Sequence, residues 1–133
     1  MSQENVEVVK GVMSRFEAGD RQAWREHFDP NVVWDTSASQ LPAASVYHGH
    51  EGVVRFFRGW LETWTDYEVA TREYIDAGNA VVIVFRQSGT GRGSGVRVER
   101  DFFGVCDMRE LKVVRFRLYE SREEALEAAG LSE

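Results

Sequence analysis

Residues 80–119 read AVVIVFRQSGTGRGSGVRVERDFFGVCDMRELKVVRFRLY, and this pattern predicts three consecutive strands of one antiparallel sheet. Residues 80–85 form an unbroken run of β-branched and aromatic side chains, which is typical of a strand buried on both faces. Residues 89–95 are rich in glycine, which turns the chain without steric cost, so they predict a hairpin. The second strand then covers residues 96–108, and the third covers residues 113–119.

The third strand alternates strictly between apolar and basic side chains. Val114, Phe116 and Leu118 share one face, whereas Arg115 and Arg117 share the other. This alternation predicts a sheet with one buried face and one face in contact with water. The chain must also reverse near residues 109–111 without a glycine, which predicts a strained or unusually long hairpin.

The rest of the chain supplies helices on the N-terminal side of this sheet. The predicted elements are helices at 2–18, 20–28 and 51–64, strands at 32–36 and 67–75, and a last helix that begins with a capping box at Ser121. This order predicts an α+β fold, in which a curved, mainly antiparallel sheet forms a cone wrapped around the N-terminal helices.

Length, charge and composition limit the classes of function. A chain of 133 residues predicts one domain, spanning 1–133. The net charge of −6 argues against nucleic acid as a partner. Neither a signal segment nor an apolar run of ~20 residues is present, so we expect no membrane partner and a cytoplasmic protein. The single cysteine, Cys106, is interpreted as a small buried side chain without a catalytic role.

Five short stretches carry a resemblance to a known family. They are EAGD (17–20), FDPNVVW (28–34), YHGHEGV (47–53), GRGSG (91–95) and the closing YESREEALEAAGL (119–131). With these motifs in order, the chain resembles the SnoaL-like family, named after polyketide cyclases, within the nuclear transport factor 2-like superfamily of cystatin-like fold. The resemblance implies a cone-shaped barrel that binds small, mostly apolar molecules without a cofactor, often as a homodimer packed through the sheet. Members include isomerases, cyclases, epoxide hydrolases and dehydratases, and fold alone does not choose among them.

Asp101 is the first candidate for catalysis. It shares a strand face with Phe103, and a carboxylate buried there would have a raised pKa suited to acid–base work. The resemblance also implies an acidic residue on this strand in cyclases and isomerases. The alternative is that this face looks outward and that Asp101 pairs with Arg86 or Arg115.

Asp35 and His50 complete the predicted catalytic set. The resemblance implies a proton-abstracting carboxylate near the pocket mouth, and two strand registers place either Asp35 or Thr36 there. His50 is a candidate polar group that reaches the cavity from the start of the third helix. The neighbouring His48 and Glu51 are explained by a loop and a helix start, so no metal site is predicted.

The predicted ligand-binding residues are mainly aromatic, because the core-facing helix of a cone also lines its cavity. They are Trp34, Phe57, Trp60, Trp64, Phe103, Phe116 and Leu118. Two functions follow from this reading. One is a small-molecule-binding domain with acid–base catalysis of the isomerase or cyclase type on an apolar or carbonyl substrate. The other is a non-catalytic ligand-binding or dimerisation module.

Overall fold

A six-stranded sheet and three helices make up the part of the chain that the computed structural model describes, residues 2–131. In chain order the elements are α1 (Ser2–Glu17), β1 (Phe28–Asp35), β2 (Val46–His48), α2 (Gly49–Glu62), β3 (Trp64–Asp76), β4 (Ala80–Gly91), β5 (Arg97–Arg109), β6 (Lys112–Tyr119) and α3 (Arg122–Ala128). The α+β class predicted from the sequence is confirmed. Within residues 2–131, none of the helices has the length and apolar content that crossing a bilayer requires.

The strand order in the curved sheet is β2-β1-β6-β5-β4-β3. The β4–β5 pair is an antiparallel hairpin, with Val81 opposite Cys106, as the glycine-rich turn predicts. The β1–β6 pair is parallel, with Trp34 opposite Phe116, and it is the one parallel pair among the described strands. This pairing brings the first strand of the chain beside the last one.

The helices cover both faces of the sheet rather than one. Side chains of α1 and α2 pack against the inner face of β4, which includes Val81 and Ile83. The last helix, α3, packs on the opposite face against Val82 and Val105. Its start is the predicted capping box, since Ser121 Oγ accepts a hydrogen bond from the backbone N–H of Glu124. Strand β4 is therefore buried on both faces, which explains its unbroken apolar run.

The prediction of a helix at residues 20–28 is wrong. Residues 21–27 form consecutive tight turns, in which hydrogen bonds such as His27 N–H to Trp24 O (3.2 Å) span three residues instead of four. The Asp20 carboxylate also accepts from the backbone N–H of Gln22 at 3.1 Å, at the start of these turns. Trp24 is nevertheless buried, so its apolar spacing indicated burial rather than a helix.

Arg115 and Arg117 lie on the outer face of β6 and share one partner. Both guanidinium groups hydrogen-bond the carboxylate of Asp107, at 2.8 Å and 3.2 Å respectively. The predicted homodimer through this face stays a prediction.

The hairpin between β5 and β6 is strained, as its lack of glycine predicted. Arg109 pairs with Lys112, and both residues between them have positive φ, 51° for Glu110 and 62° for Leu111. Such two-residue turns favour Asn-Gly, because a side chain in the left-handed region costs roughly 1–2 kcal/mol.

Replacing Leu111 by glycine should therefore stabilise the protein. We expect Leu111→Gly to raise the free energy of unfolding, measured by urea denaturation, by about 1 kcal/mol relative to Leu111→Ala. The alanine variant is the matched control, because it also removes the side chain but keeps the strained Cβ. Equal stabilities of the two variants would contradict the interpretation of strain.

Candidate functional site

A cavity of about 450 Å³ opens between α2 and the inner face of strands β3–β5. Phe56, Trp60 and Arg55 of α2 form one wall, and Phe102 and Arg100 of β5 contribute to the opposite wall. The segment 41–43 borders the opening. A cavity of this size lies within the range of roughly 300–1,000 Å³ that is usual for small-molecule sites.

A second, inner cavity of about 80 Å³ adjoins the first one. It extends toward α1 and β1, and its wall is almost entirely apolar. The residues that line both cavities, and that therefore mark their junction, are Leu41, Phe56, Trp60, Tyr67 and Gln87.

A polar cluster of Trp60, Tyr67 and Gln87 lies at this junction. Gln87 Oε1 accepts hydrogen bonds from Trp60 Nε1, at 3.1 Å, and from the hydroxyl of Tyr67. An indole N–H can only donate, so the amide atom that it contacts must be the oxygen. Burial raises the pKa of Tyr67 to about 12, against the opposing effects of Trp60 and Arg21, so the phenol stays protonated at neutral pH.

Two arginines lie at the mouth of the larger cavity. The guanidinium carbon of Arg55 lies 5.7 Å from the ring centre of Tyr47, and that of Arg100 lies 5.4 Å from the ring centre of Phe102. Arg100 also pairs with Glu120, whose other oxygen accepts from the backbone N–H of Gln40. Glu120 therefore links the segment beside the opening to the sheet.

Six of the seven predicted ligand-binding residues lie in the cavity walls. Trp34, Phe57, Phe116 and Leu118 line the inner cavity, Trp64 lines the outer one, and Trp60 lines both. Trp64 was predicted to end the third helix. In the structure it is the first residue of β3.

Asp101 and Phe103 are placed on the opposite side of the sheet, so the prediction that they face the cavity is wrong. Phe102, only 2% exposed, points inward, and alternation along β5 then turns both of its neighbours outward. Asp101 lies opposite Arg86 and accepts from its Nε at 2.9 Å. This hydrogen bond lowers the pKa of Asp101, whereas the predicted role required it to be raised. The alternative, a pair with Arg86, is what the structure contains.

Asp35 does not line either cavity. Its Oδ1 accepts hydrogen bonds from the backbone N–H and the hydroxyl of Ser37, at 2.9 Å and 2.5 Å, and so forms a turn after β1. Thr36, in the alternative register, is fully buried, but its hydroxyl is engaged with the backbone of Ser45. Neither residue is available to a ligand in these cavities.

His50 also lies outside both cavity walls. Its Nε2 lies 2.9 Å from the carbonyl oxygen of Phe28, and its ring packs edge-on against Trp24 with 5.2 Å between centres. The side chain therefore joins the start of α2 to β1. Among residues 2–131, no group of three or more His, Cys, Asp or Glu side chains is placed to hold a metal ion.

Four residues of the site were not predicted from the sequence: Tyr67, Gln87, Arg55 and Arg100. Gln87 had a usable signal, since it follows Ile83 and Phe85 at two-residue steps and therefore shares their inward face. Tyr67 and Arg100 lie between charged neighbours and Arg55 lies between apolar ones, so no common local pattern distinguishes these three side chains.

The family of the chain follows from a match to a known family model. A family model described as the SnoaL-like domain matches residues 9–116. The chain belongs to the SnoaL-like family. No curated protein sequence matches this SnoaL-like chain at a significant level.

Solved structures with the same fold cover nearly the whole chain. An NTF2-like protein from Burkholderia thailandensis is 25% identical, with a TM-score of 0.81, over 95% of this chain and 96% of that one. TerC, co-crystallised with polyporic acid, is 21% identical, with a TM-score of 0.76, over 96% of this chain and 98% of TerC. A Catenulispora acidiphila protein of ketosteroid isomerase-like fold, in complex with trimethylamine, is 16% identical, with a TM-score of 0.73, over 94% and 93%. At these identities, the last two show the fold alone.

The raised pKa of Tyr67 predicts a loss of stability at alkaline pH. The folded state holds the phenolic proton more tightly than the unfolded state, where the pKa is about 10, so this contribution is complete below pH 10 and is lost as the pH rises through about 12. Between pH 9 and pH 11, the wild type should lose about 1 kcal/mol more of its free energy of unfolding than Tyr67→Phe does. Urea denaturation at both pH values measures this difference.

The comparison with Tyr67→Phe controls for the other groups that titrate at alkaline pH. Burial and the charge of Asp107 also raise the pKa of Cys106, to about 12, but the thiol is present in both proteins and its effect cancels. Equal losses in the wild type and Tyr67→Phe would mean that the phenol is not buried as described.

Proposed function

We propose that this SnoaL-like domain binds a small, mostly apolar molecule in the two adjoining cavities. The observation that carries the proposal is the polar cluster of Trp60, Tyr67 and Gln87, which lies in otherwise apolar walls where the cavities meet. Binding sites for small molecules typically combine an apolar lining with a few polar groups that orient the ligand.

The ionisable groups in the walls favour binding over acid–base catalysis. Among the described residues, the titratable side chains that line the cavities are Tyr47, Arg55, Tyr67 and Arg100. A general acid or base works best with a pKa near the operating pH. The pKa of Tyr67 is far above neutrality, and an arginine keeps its proton in proteins, so these groups are suited to hydrogen bonding and charge complementarity.

Relatives of the same fold support a small-molecule ligand. TerC was co-crystallised with polyporic acid, and the Catenulispora acidiphila protein was solved with trimethylamine. These ligands differ in chemistry, so they support the class of function without identifying the ligand of this chain.

Gly59 offers a way to block the larger cavity without disturbing the core. It lies on α2 in the wall of that cavity, and a Cβ added there meets no atom within 4 Å. We expect Gly59→Leu to weaken binding of the fluorescent probe 8-anilinonaphthalene-1-sulfonate at least about tenfold, because the side chain takes up ligand space. Fluorescence titration measures the dissociation constant.

Two variants act as controls. Gly59→Ala makes the same backbone change with little loss of volume, and should bind the probe within about twofold of the wild type. Asp101→Asn, on the outer face, should also leave binding unchanged. Replacing a helical glycine stabilises a helix by roughly 0.5–1 kcal/mol, so neither substitution at position 59 should lower the melting temperature. Undiminished probe binding by a folded Gly59→Leu protein would contradict the proposed site.

A further inference from the structure

The free end of the Gln87 side chain defines what the cavity can recognise. Its oxygen is engaged by Trp60 and Tyr67, which leaves the amide nitrogen, Nε2, as the other polar atom. Among residues 2–131, no hydrogen-bond acceptor contacts Nε2, and this atom is not one of the buried unpaired atoms. Because Gln87 lines both cavities, a molecule in them can reach two N–H groups of this amide.

Several other polar side chains in the walls are already hydrogen-bonded or carry only donors. The hydroxyl of Tyr47 donates to the carbonyl oxygen of Ala43 at 2.8 Å, and that of Thr63 donates to the carbonyl oxygen of Gly59 at 2.9 Å. The two charged side chains of the lining, Arg55 and Arg100, carry only donors. Within the described residues, the walls of the two cavities contain no carboxylate and no imidazole.

The charged side chains of the cavity lining also favour a ligand that accepts hydrogen bonds. The chain as a whole has a net charge of −6, yet both charged groups of the cavity lining are arginines. Arg100 is ion-paired with Glu120, so Arg55 supplies most of the positive charge that a ligand meets. A site with low-dielectric walls and charges of one sign favours ligands that carry the opposite full or partial charge. The bound molecule should therefore present partial negative charge to these walls.

We infer that the ligand carries an oxygen acceptor of the carbonyl or carboxylate type, which accepts a hydrogen bond from Gln87 Nε2 at the junction of the cavities. This inference rests on the proposed function and gives it a ligand class: apolar molecules with an accepting oxygen, rather than hydrocarbons or amines. Gln87 is then the residue that determines ligand specificity, and Trp60 and Tyr67 are positioning residues that fix the orientation of its amide.

Two probes of nearly the same shape test the inference. 2-Acetylnaphthalene and 2-ethylnaphthalene share the ring system and differ in a carbonyl group against a methylene group. The quantity of interest is the ratio of their dissociation constants, ethyl over acetyl, measured by calorimetry for the wild type and for a variant at position 87. Comparing ratios removes the difference in hydrophobicity between the probes, as a double-mutant cycle does.

Gln87→Glu is the test variant, because its carboxylate still accepts from Trp60 and Tyr67 but offers no N–H group at pH 8. We expect the ratio to fall about three- to tenfold in Gln87→Glu, which is the usual effect of losing one hydrogen bond. In Asp101→Asn the ratio should stay as in the wild type.

The wild type provides a measurement that does not depend on the folding of any variant. In nitrogen–proton NMR spectra, the side-chain amide signals of Gln87 should shift when 2-acetylnaphthalene is added and shift much less with 2-ethylnaphthalene. If neither probe binds the wild type, the proposed function itself fails. If both bind but the ratio is unchanged at position 87 and the amide signals respond equally to both, the ligand class is wrong while the binding function stands.

Discussion

The stacking of Trp34 on Phe116 across the parallel β1–β6 pair is the contact on which the cavities depend. The two ring centres lie 4.2 Å apart, and Trp34 also packs against Phe56 and Phe57 of α2. Gly104 of β5 makes the stacking possible, since a Cβ there would lie 2.5 Å from the ring of Phe116. The absence of a side chain at Gly104 therefore leaves room for the stacked rings of Trp34 and Phe116 between the sheet and α2. These rings form part of the wall of the inner cavity.

The two-residue period of the strands then separates the charges. On β5, the burial of Phe102 turns Asp101 outward to Arg86, and Asp107 faces outward to Arg115. The acidic side chains of this strand therefore form ion pairs on the outer face, while Arg100 lies at the mouth of the cavity. The same alternation brings Gln87 inward on β4. The chemistry of the site, with donors inside and carboxylates outside, follows from the register of one hairpin.

The sequence predicted the long strands, the capping box at Ser121 and most of the aromatic lining, because local patterns encode them. It did not determine which face of β5 is buried. Alternation shows which residues share a face, but Phe102 and Phe103 are adjacent aromatic residues, and each could have been the inward one. The polar cluster could not be predicted from local sequence patterns, because Gln87 is separated from Trp60 by 27 residues and from Tyr67 by 20 residues along the chain. Such contacts depend on the packing of α2 over the sheet.

The indole N–H of Trp34, in the wall of the inner cavity, is buried without a partner among the described residues. An unpaired buried donor of this kind costs about 1–3 kcal/mol. A core selected for stability alone would satisfy the donor or replace it with an apolar group. Since the donor lies in the wall of the cavity that the polar cluster of Gln87 borders, this cost falls at the candidate site, and local departures from satisfied packing are expected at functional sites.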